Sequence, residues 1–594
     1  MAKTNIVISA SLTILLLLGS CVENPMIDYA KKENPQLIDL LKEFKEQKEK
    51  YRSLEYLLTH SELSDIKAYN KDSIKMNIDL ACAKWNSVPW SVNYNIAMFN
   101  EYVLPMQVAT EPLEYYWRGN IPELIDIDTR TDDVMELSKR INKQIQINTS
   151  RESWGLPLLG YTKTIKGNTG KCDDRAVLAA MAMRAYGIPA AYEVIPQWGS
   201  SNNGHSICTM IEPDDSMKVF QSSHDEEDVF MLHKTPKIYR RTFSKQTATP
   251  LYKYRNKETI PSLFTDFKLK DVTSYHSFGS QDVELRLGTV LDSRIVYLSV
   301  FSTEEWFPVS YAKRKGDKAG FKDVGNGVNQ YGDNSTQGDN IGSGILYLPC
   351  YYIDNKIVPC SPPIVVSVEG VREIKCNLQE VEKVVLYRKY PLFQRMISYA
   401  SEMIDGVIEG ANKADYSDAK LLYYIAKTPK SRLQRIGVEG KHRYIRYRKS
   451  QGTFSIGELR VFDKTGLEQN GKLHTIEPLK EEKEVKNAID GDPLSYYSLK
   501  GGIDVWVGVD LGRSEDLGFI EFAPRNDDNT TTIGDSYELF YWDEEWVSLG
   551  KRIATDYDLE YSNAPKGALL WLRNQTKGRE ERPFTYENGT QIWW

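Results

Sequence analysis

The stretch that most constrains the fold is GNTGKCDDRAVLAAMAMRAYGIPAAYEVIP, residues 167–196. A glycine-bearing turn leads into a single cysteine, Cys172. The residues from Asp173 to Tyr186 read as a helix, which stops at Gly187 with Pro189 two positions later. Short apolar runs that alternate like strands follow it. Cys172 is therefore either a small core residue or a thiol at the start of a helix. Unpaired N–H groups and about half a positive charge gather at a helix N-terminus. A free thiol ionises near pH ~8.5, so that field favours thiolate, and the neighbouring N–H can help hold an oxyanion. Asp173 and Asp174 suit the helix dipole but partly oppose thiolate formation.

A nucleophilic thiol needs a base. Downstream, PQWGSSNNGHSICTMIEPDDSMKVFQSSHDE offers His205 at the head of a strand-like run, Ser206 to Ile211. A turn at 212–216 and a second run from Met217 to Gln221 predict a hairpin with His205 and Gln221 near one end. A thiol on a helix N-terminus, an imidazole on a strand and a polar orienter beside it form a nucleophile–base–orienter arrangement.

The order Gly-Lys-Cys, a helix ending in Arg184-Ala185-Tyr186-Gly187-Ile188-Pro189-Ala190, then Gly204-His205-Ser206, resembles the transglutaminase-like superfamily over about residues 135–225. The resemblance implies a papain-like α+β core, with Cys172 as nucleophile and His205 as general base and acid. The family's third residue is usually Asp; here the slot holds Phe220-Gln221, and Asp214 and Asp215 fall in the turn. An amide at Gln221 accepts an imidazole N–H but supplies no charge. The Trp that often follows the histidine is Ile207. Trp154 and Trp198 are candidates for a second oxyanion donor.

The remaining chain extends this core into a multidomain α+β protein. MAKTNIVISASLTILLLLGSC reads as a secretory signal. Leu18-Gly19-Ser20-Cys21 resembles a bacterial lipobox, which implies cleavage after residue 20 and lipid on Cys21, with more than one acyl chain giving stable anchoring. A helical N-terminal region is expected over 21–134, the transglutaminase-like domain over 135–245, a β-sandwich over 265–390, a helical connector over 391–435 and a further β-sandwich over 438–594 that folds by itself. Asp490-Gly491-Asp492 and Trp506 to Gly512 in that last region resemble the discoidin-like (coagulation factor 5/8 type C) family. That resemblance implies glycan-binding loops and, in some members, a structural calcium; Tyr496, Tyr497 and Trp542 are candidate contacts, alongside Trp198 near the thiol. No other cofactor is expected, and no Cys/His cluster has zinc spacing. Cys350 and Cys360 bound a short loop that a disulfide could close.

A net charge of −7 points away from nucleic acid. The domain order is similar to surface lipoproteins of Bacteroidetes-type bacteria. The expectation is an exported protein, lipid-anchored to the outer membrane or cell surface, acting as a cysteine hydrolase on peptide or amide bonds through Cys172, His205 and Gln221, with glycoproteins among its substrates. The alternative is a catalytically inactive lipoprotein that binds glycan or another surface polymer.

Overall fold

The computed structural model describes residues 24–149, 157–220, 233–328, 338–475, 482–492, 494–578 and 580–594. Cys21, Trp154 and Gln221 lie outside the described residues. Among the described residues no helix is long and apolar enough to cross a membrane.

Helices occupy most of the chain from Pro25 to Asn148. Their leucines recur at helical spacing, and Leu37, Leu40, Leu54, Leu57 and Leu58 are buried in one cluster. Two buried arginines fasten this region to the next. Arg118 donates to Asn77 Oδ1 at 2.6 Å, to the Leu104 carbonyl at 2.8 Å and to the Arg184 carbonyl at 3.2 Å. Arg184 donates to the carbonyls of Ala190 at 2.9 Å and Gln107 at 3.2 Å. The arginine of the Arg-Ala-Tyr-Gly-Ile-Pro-Ala run thus ties the helix end to the strand that follows it.

The thiol helix spans Cys172–Ala185. Every residue from Ala176 to Ala185 is buried, so the helix is enclosed on all faces rather than amphipathic. Each large apolar side chain on it, such as Leu178 or Met181, contributes about 1.5–3 kcal/mol by leaving water. The helix ends as its sequence dictates. Gly187 takes φ +74°, which a side chain would oppose, and the Ile188 N–H returns to the Met183 carbonyl at 2.9 Å.

Against this helix lies an antiparallel sheet of β1 (Ala190–Ile195), β2 (His205–Ile211), β3 (Met217–Phe220), β4 (Tyr239–Arg241) and β5 (Leu269–Asp271), ordered β3-β2-β1-β4-β5. Ile195 pairs with His205, and Cys208 with Phe220. Cys208, Met210 and Phe220 face the helix and join its core.

The strands between Ser280 and Gly325 and between Ile345 and Glu373 form an antiparallel sheet with one core on each face. The disulfide considered for Cys350 and Cys360 is not formed: both are free, buried thiols. Cys350 pairs with Pro359 across a hairpin, so Cys360 falls one residue out of register. Strand alternation then sends the two sulfurs to opposite faces, Cys350 into one core and Cys360 into the other.

The stretch 391–435, expected as a helical connector, is helical only at Gln394–Ser401. Val407–Ala411 and Lys420–Tyr424 are instead strands of a sheet completed by Lys441–Ile456 and Tyr497–Ala523. Pairing with the long Lys441–Ile456 strand overrides the local helical spacing, and Ile408 and Ala411 are fully buried by it. The C-terminal strands from Ser536 to Trp593 do not belong to that sheet. Leu559–Lys566 pairs with Asn377–Leu386, upstream of it, and Val384, Leu386, Tyr561 and Phe584 share a core. The β-unit centred on 407–523 is therefore inserted between two parts of an outer β-unit. Its stem is a short clasp, where Lys389 N–H meets the Asn529 carbonyl at 3.0 Å and Thr531 N–H meets the Tyr387 carbonyl at 2.9 Å.

Candidate active site

Cys172 is the first residue of the thiol helix and is half-buried. The turn before it is held by Asp174, fully buried, whose carboxylate accepts the N–H of Lys171 at 3.1 Å and of Leu159 at 2.7 Å. Gly170 sits over this carboxylate; an added Cβ would lie 3.2 Å from the Asp174 Cβ. The sequence Gly-Lys-Cys-Asp-Asp thereby fixes where the sulfur emerges.

The sulfur meets β2 at its first peptide. The backbone N–H of Ser206 and that of Asp173 both point at it. Cys172 thus sits beside the peptide that joins His205 to Ser206. Asp173 completes this corner. Its Oδ1 accepts the hydroxyls of Ser206 and, at 3.2 Å, of Tyr192, and lies 3.9 Å from the Cys172 sulfur. Its Oδ2 pairs with Lys171 Nζ at 3.3 Å. Tyr192 and Ser206 hydroxyls are themselves 2.7 Å apart.

Two sets of forces act on the thiol. Burial and the Asp173 carboxylate push its pKa up, while the Ser206 and Asp173 N–H groups and Lys171 pull it down, and the first set wins. The sequence set a helix field that favours thiolate against acids that partly oppose it; in the structure the opposing side prevails, because partial burial disfavours the charged form and Asp173 lies against the sulfur. The balance favours the protonated thiol over the thiolate.

His205 occupies the other face of β2 from Ser206. Its ring stacks on Trp198, with centroids 5.9 Å apart and planes 20° from parallel. Trp198 is 6% exposed and also meets His233 at 5.6 Å, which in turn meets Phe393 at 5.2 Å. Burial above all, with Arg582 and His205 nearby, lowers the His233 pKa to about 4, so this second imidazole is neutral. Sequence reasoning did not single out His233 or Tyr192, and it gave the charge of Asp173 beside the thiol but not the hydroxyls that hold its carboxylate there. Ser206 was legible in Gly-His-Ser, but the partners of its hydroxyl come from elements apart in the chain.

A separate charged cluster lies across the sheet. Glu193, fully buried, accepts from Arg240 Nε at 2.8 Å and Thr209 Oγ1 at 3.1 Å, and pairs with His276 Nε2 at 2.8 Å. Burial opposes its ionisation, yet His276 and Arg240 hold its pKa down to about 2. It fastens β1 to β4.

The aromatic residues singled out in the C-terminal region lie away from the thiol. Tyr497 is 5% exposed and packs on Phe454. Trp542 is 8% exposed and packs edge-on to Trp306 and Trp546. Tyr496 carries the Arg525 guanidinium 3.9 Å over its ring. Among the described residues no three His, Cys, Asp or Glu side chains gather as a metal-holding group.

A thiol opens a buried helix and is set against the first peptide of an antiparallel strand, within an α+β core. Residues 124–220 match the family model described as the transglutaminase-like superfamily, from the end of the helix Trp117–Leu124 through β3. No curated protein matches the chain.

Proposed function

We propose that the 124–220 unit is the core of a cysteine hydrolase that cleaves peptide or amide bonds, with Cys172 as nucleophile, His205 as base and acid, and Gln221 as orienter of the imidazole. The observation that supports it is the seat of the thiol: first position of a helix, receiving the N–H of the residue after His205. His205 takes the thiol proton as sulfur bonds to the carbonyl carbon. The Asp173 N–H, which points at the sulfur from the helix start, is placed to hold the oxyanion. His205 returns the proton to the leaving amine, and water, deprotonated by His205, releases the acid from the thioester. The same reading makes the chain an exported lipoprotein anchored through Cys21, with its C-terminal β-units engaging the glycan or peptide context of the substrate.

The Asp173 carboxylate against the sulfur, and a His205 ring that lies on Trp198 on the other face of β2 from Ser206, favour a second reading, a retained fold that binds without catalysis. Iodoacetamide labelling at neutral pH separates the two. Cys82, Cys208, Cys350 and Cys360 are buried, with pKa values raised mainly by that burial, in Cys82 and Cys360 to about 12. The hydrolase reading expects Cys172 to label ahead of these and of half-buried Cys376, and His205→Ala to slow it about tenfold, the effect of one pKa unit. Labelling no faster than a simple thiol, with His205→Ala silent, establishes the binding reading instead.

A further inference from the structure

The loop of residues 196–204 joins β1 to β2 and presents both Trp198 and His205. We propose that Arg582, far downstream in the C-terminal β-unit, is the positioning residue that fixes this loop, so that the C-terminal unit completes the thiol site. The proposal rests on the reading of His205 as the base.

The guanidinium of Arg582 is 1% exposed. It reaches into the loop from outside: Nη2 donates to the Gly199 carbonyl at 2.6 Å, and Nη1 to the Ser201 carbonyl and Asn202 Oδ1, each at 3.3 Å. Its remaining bonds go to the Phe301 carbonyl at 2.5 Å and to the Trp594 main-chain oxygen at 3.1 and 2.8 Å. One planar group therefore joins three segments: the loop, the middle sheet and the C-terminal strands. The partners on the loop and on the middle sheet are neutral carbonyl and amide oxygens. Burying a cation is costly, and satisfying every donor offsets part of that cost. An apolar residue of the same volume fills the space with no such cost, so an arginine at this place is explained by what its fork holds.

The surroundings agree. Ser201 Oγ lies 3.3 Å from the Tyr390 hydroxyl, and Asn202 Nδ2 donates to the Glu581 carbonyl at 3.4 Å. Lys234 N–H donates to Ser200 Oγ at 3.1 Å. At Gly199 an added Cβ would meet Ile345 at 2.8 Å, so the loop is pressed onto the middle sheet. Within the loop, Gln197 Nε2 donates to the Ser201 carbonyl at 2.6 Å and Trp198 N–H to the Asn203 carbonyl at 2.8 Å. The indole of Trp198 is thereby set as the flat support on which the His205 ring lies. Arg582 acts on His205 through this loop and touches neither the thiol nor a reacting atom.

The test uses the full chain and follows iodoacetamide labelling of Cys172 across pH, with thermal melts as the folding control. The wild-type profile should show an inflection from His205 that His205→Ala removes. Arg582→Met should lower the rate at neutral pH about tenfold, equivalent to one unit in the thiol's pKa, and shift the inflection toward that of a simple thiol. Arg582→Lys should recover part of the rate, since an ammonium restores the charge and some of the bonds. If Arg582→Met does not fold, the double variant Asn202→Ala, Tyr390→Phe, which loosens the loop while leaving Arg582 in place, should shift the profile in the same direction by less. A folded Arg582→Met, or failing that the double variant, with the wild-type profile overturns the proposal. A wild-type Cys172 that behaves as a simple thiol, with His205→Ala silent, instead removes the base reading, and the proposal falls with it.

Discussion

His233 shows how one half-buried side chain writes itself into the pH dependence of the whole protein. Its folded pKa of about 4 lies below the ordinary histidine value of 6.5 because burial, Arg582 and His205 all oppose its charge. Above pH 6.5 the folded and unfolded chains bind the same proton count at this site. Between 6.5 and 4 the unfolded chain binds a proton that the folded one refuses, so stability is lost as pH falls through that window, by roughly 3 kcal/mol in total. Denaturant midpoints for wild type and His233→Gln should diverge in slope over that range, with the variant flatter; equal slopes would show that the imidazole protonates without consequence. At the thiol, Gln221→Asp should raise the labelling rate of Cys172, because a carboxylate stabilises the imidazolium that an amide only orients. An unchanged rate would mean that the side chain at 221 does not reach His205. The places of Cys172 and His205 in the fold were legible because each is tied to a local signal, a helix start and a strand start. The influence of Asp173 on the sulfur was only half legible. Its charge could be read from its place next to Cys172, but not that Ser206 and Tyr192 would hold its carboxylate in place.

Among the elements, the thiol helix was read nearly to the residue, Asp173–Tyr186 expected against Cys172–Ala185 observed, since glycine and proline punctuate its end. Gly187 carries that punctuation. Replacing it with alanine places a Cβ at φ +74° and 3.2 Å from Lys84, and should destabilise the protein by about 1–2 kcal/mol, measured as a lower denaturation midpoint without change in the cooperativity of unfolding. A midpoint within error of wild type would mean that the helix end can re-form by another route. The hairpin of β2 and β3 was equally legible from alternation and from its turn. The 391–435 stretch was not. Its apolar residues fit a helical spacing over Leu392 to Ile408, but Val407 and Ile408 sit opposite Arg448 and Tyr447 in the sheet, and no local pattern announces partners forty residues away. Cys350 and Cys360 teach the same point, since their spacing suits a loop closure that strand alternation forbids.

Across the whole molecule, composition and strand spacing gave a multidomain α+β chain with β-rich C-terminal parts, while the nesting of one β-unit inside another was out of reach, because it depends on Asn377–Leu386 pairing with Leu559–Lys566. The region 438–594 is accordingly not self-contained. A fragment of residues 403–525 retains the core of Met403, Ile408, Ile445, Val507 and Ile520 and should melt cooperatively. A fragment of 438–594 leaves out strands from both units and should show a broad, non-cooperative transition; a sharp one would mean that the upstream strands add little. The clasp at 387–389 and 529–531 carries a further consequence, for the order of assembly on the ribosome. The first strand of the outer unit emerges long before its partner does, and a loop of that length closes slowly and at an entropic cost that grows with its logarithm. If the inserted unit folds first, its own termini meet at the clasp, and the outer strands then dock across a junction of a few residues. The nested unit thus works as an internal template, converting a distant strand pairing into a nearly local one, and in refolding its formation should precede that of the outer sheet.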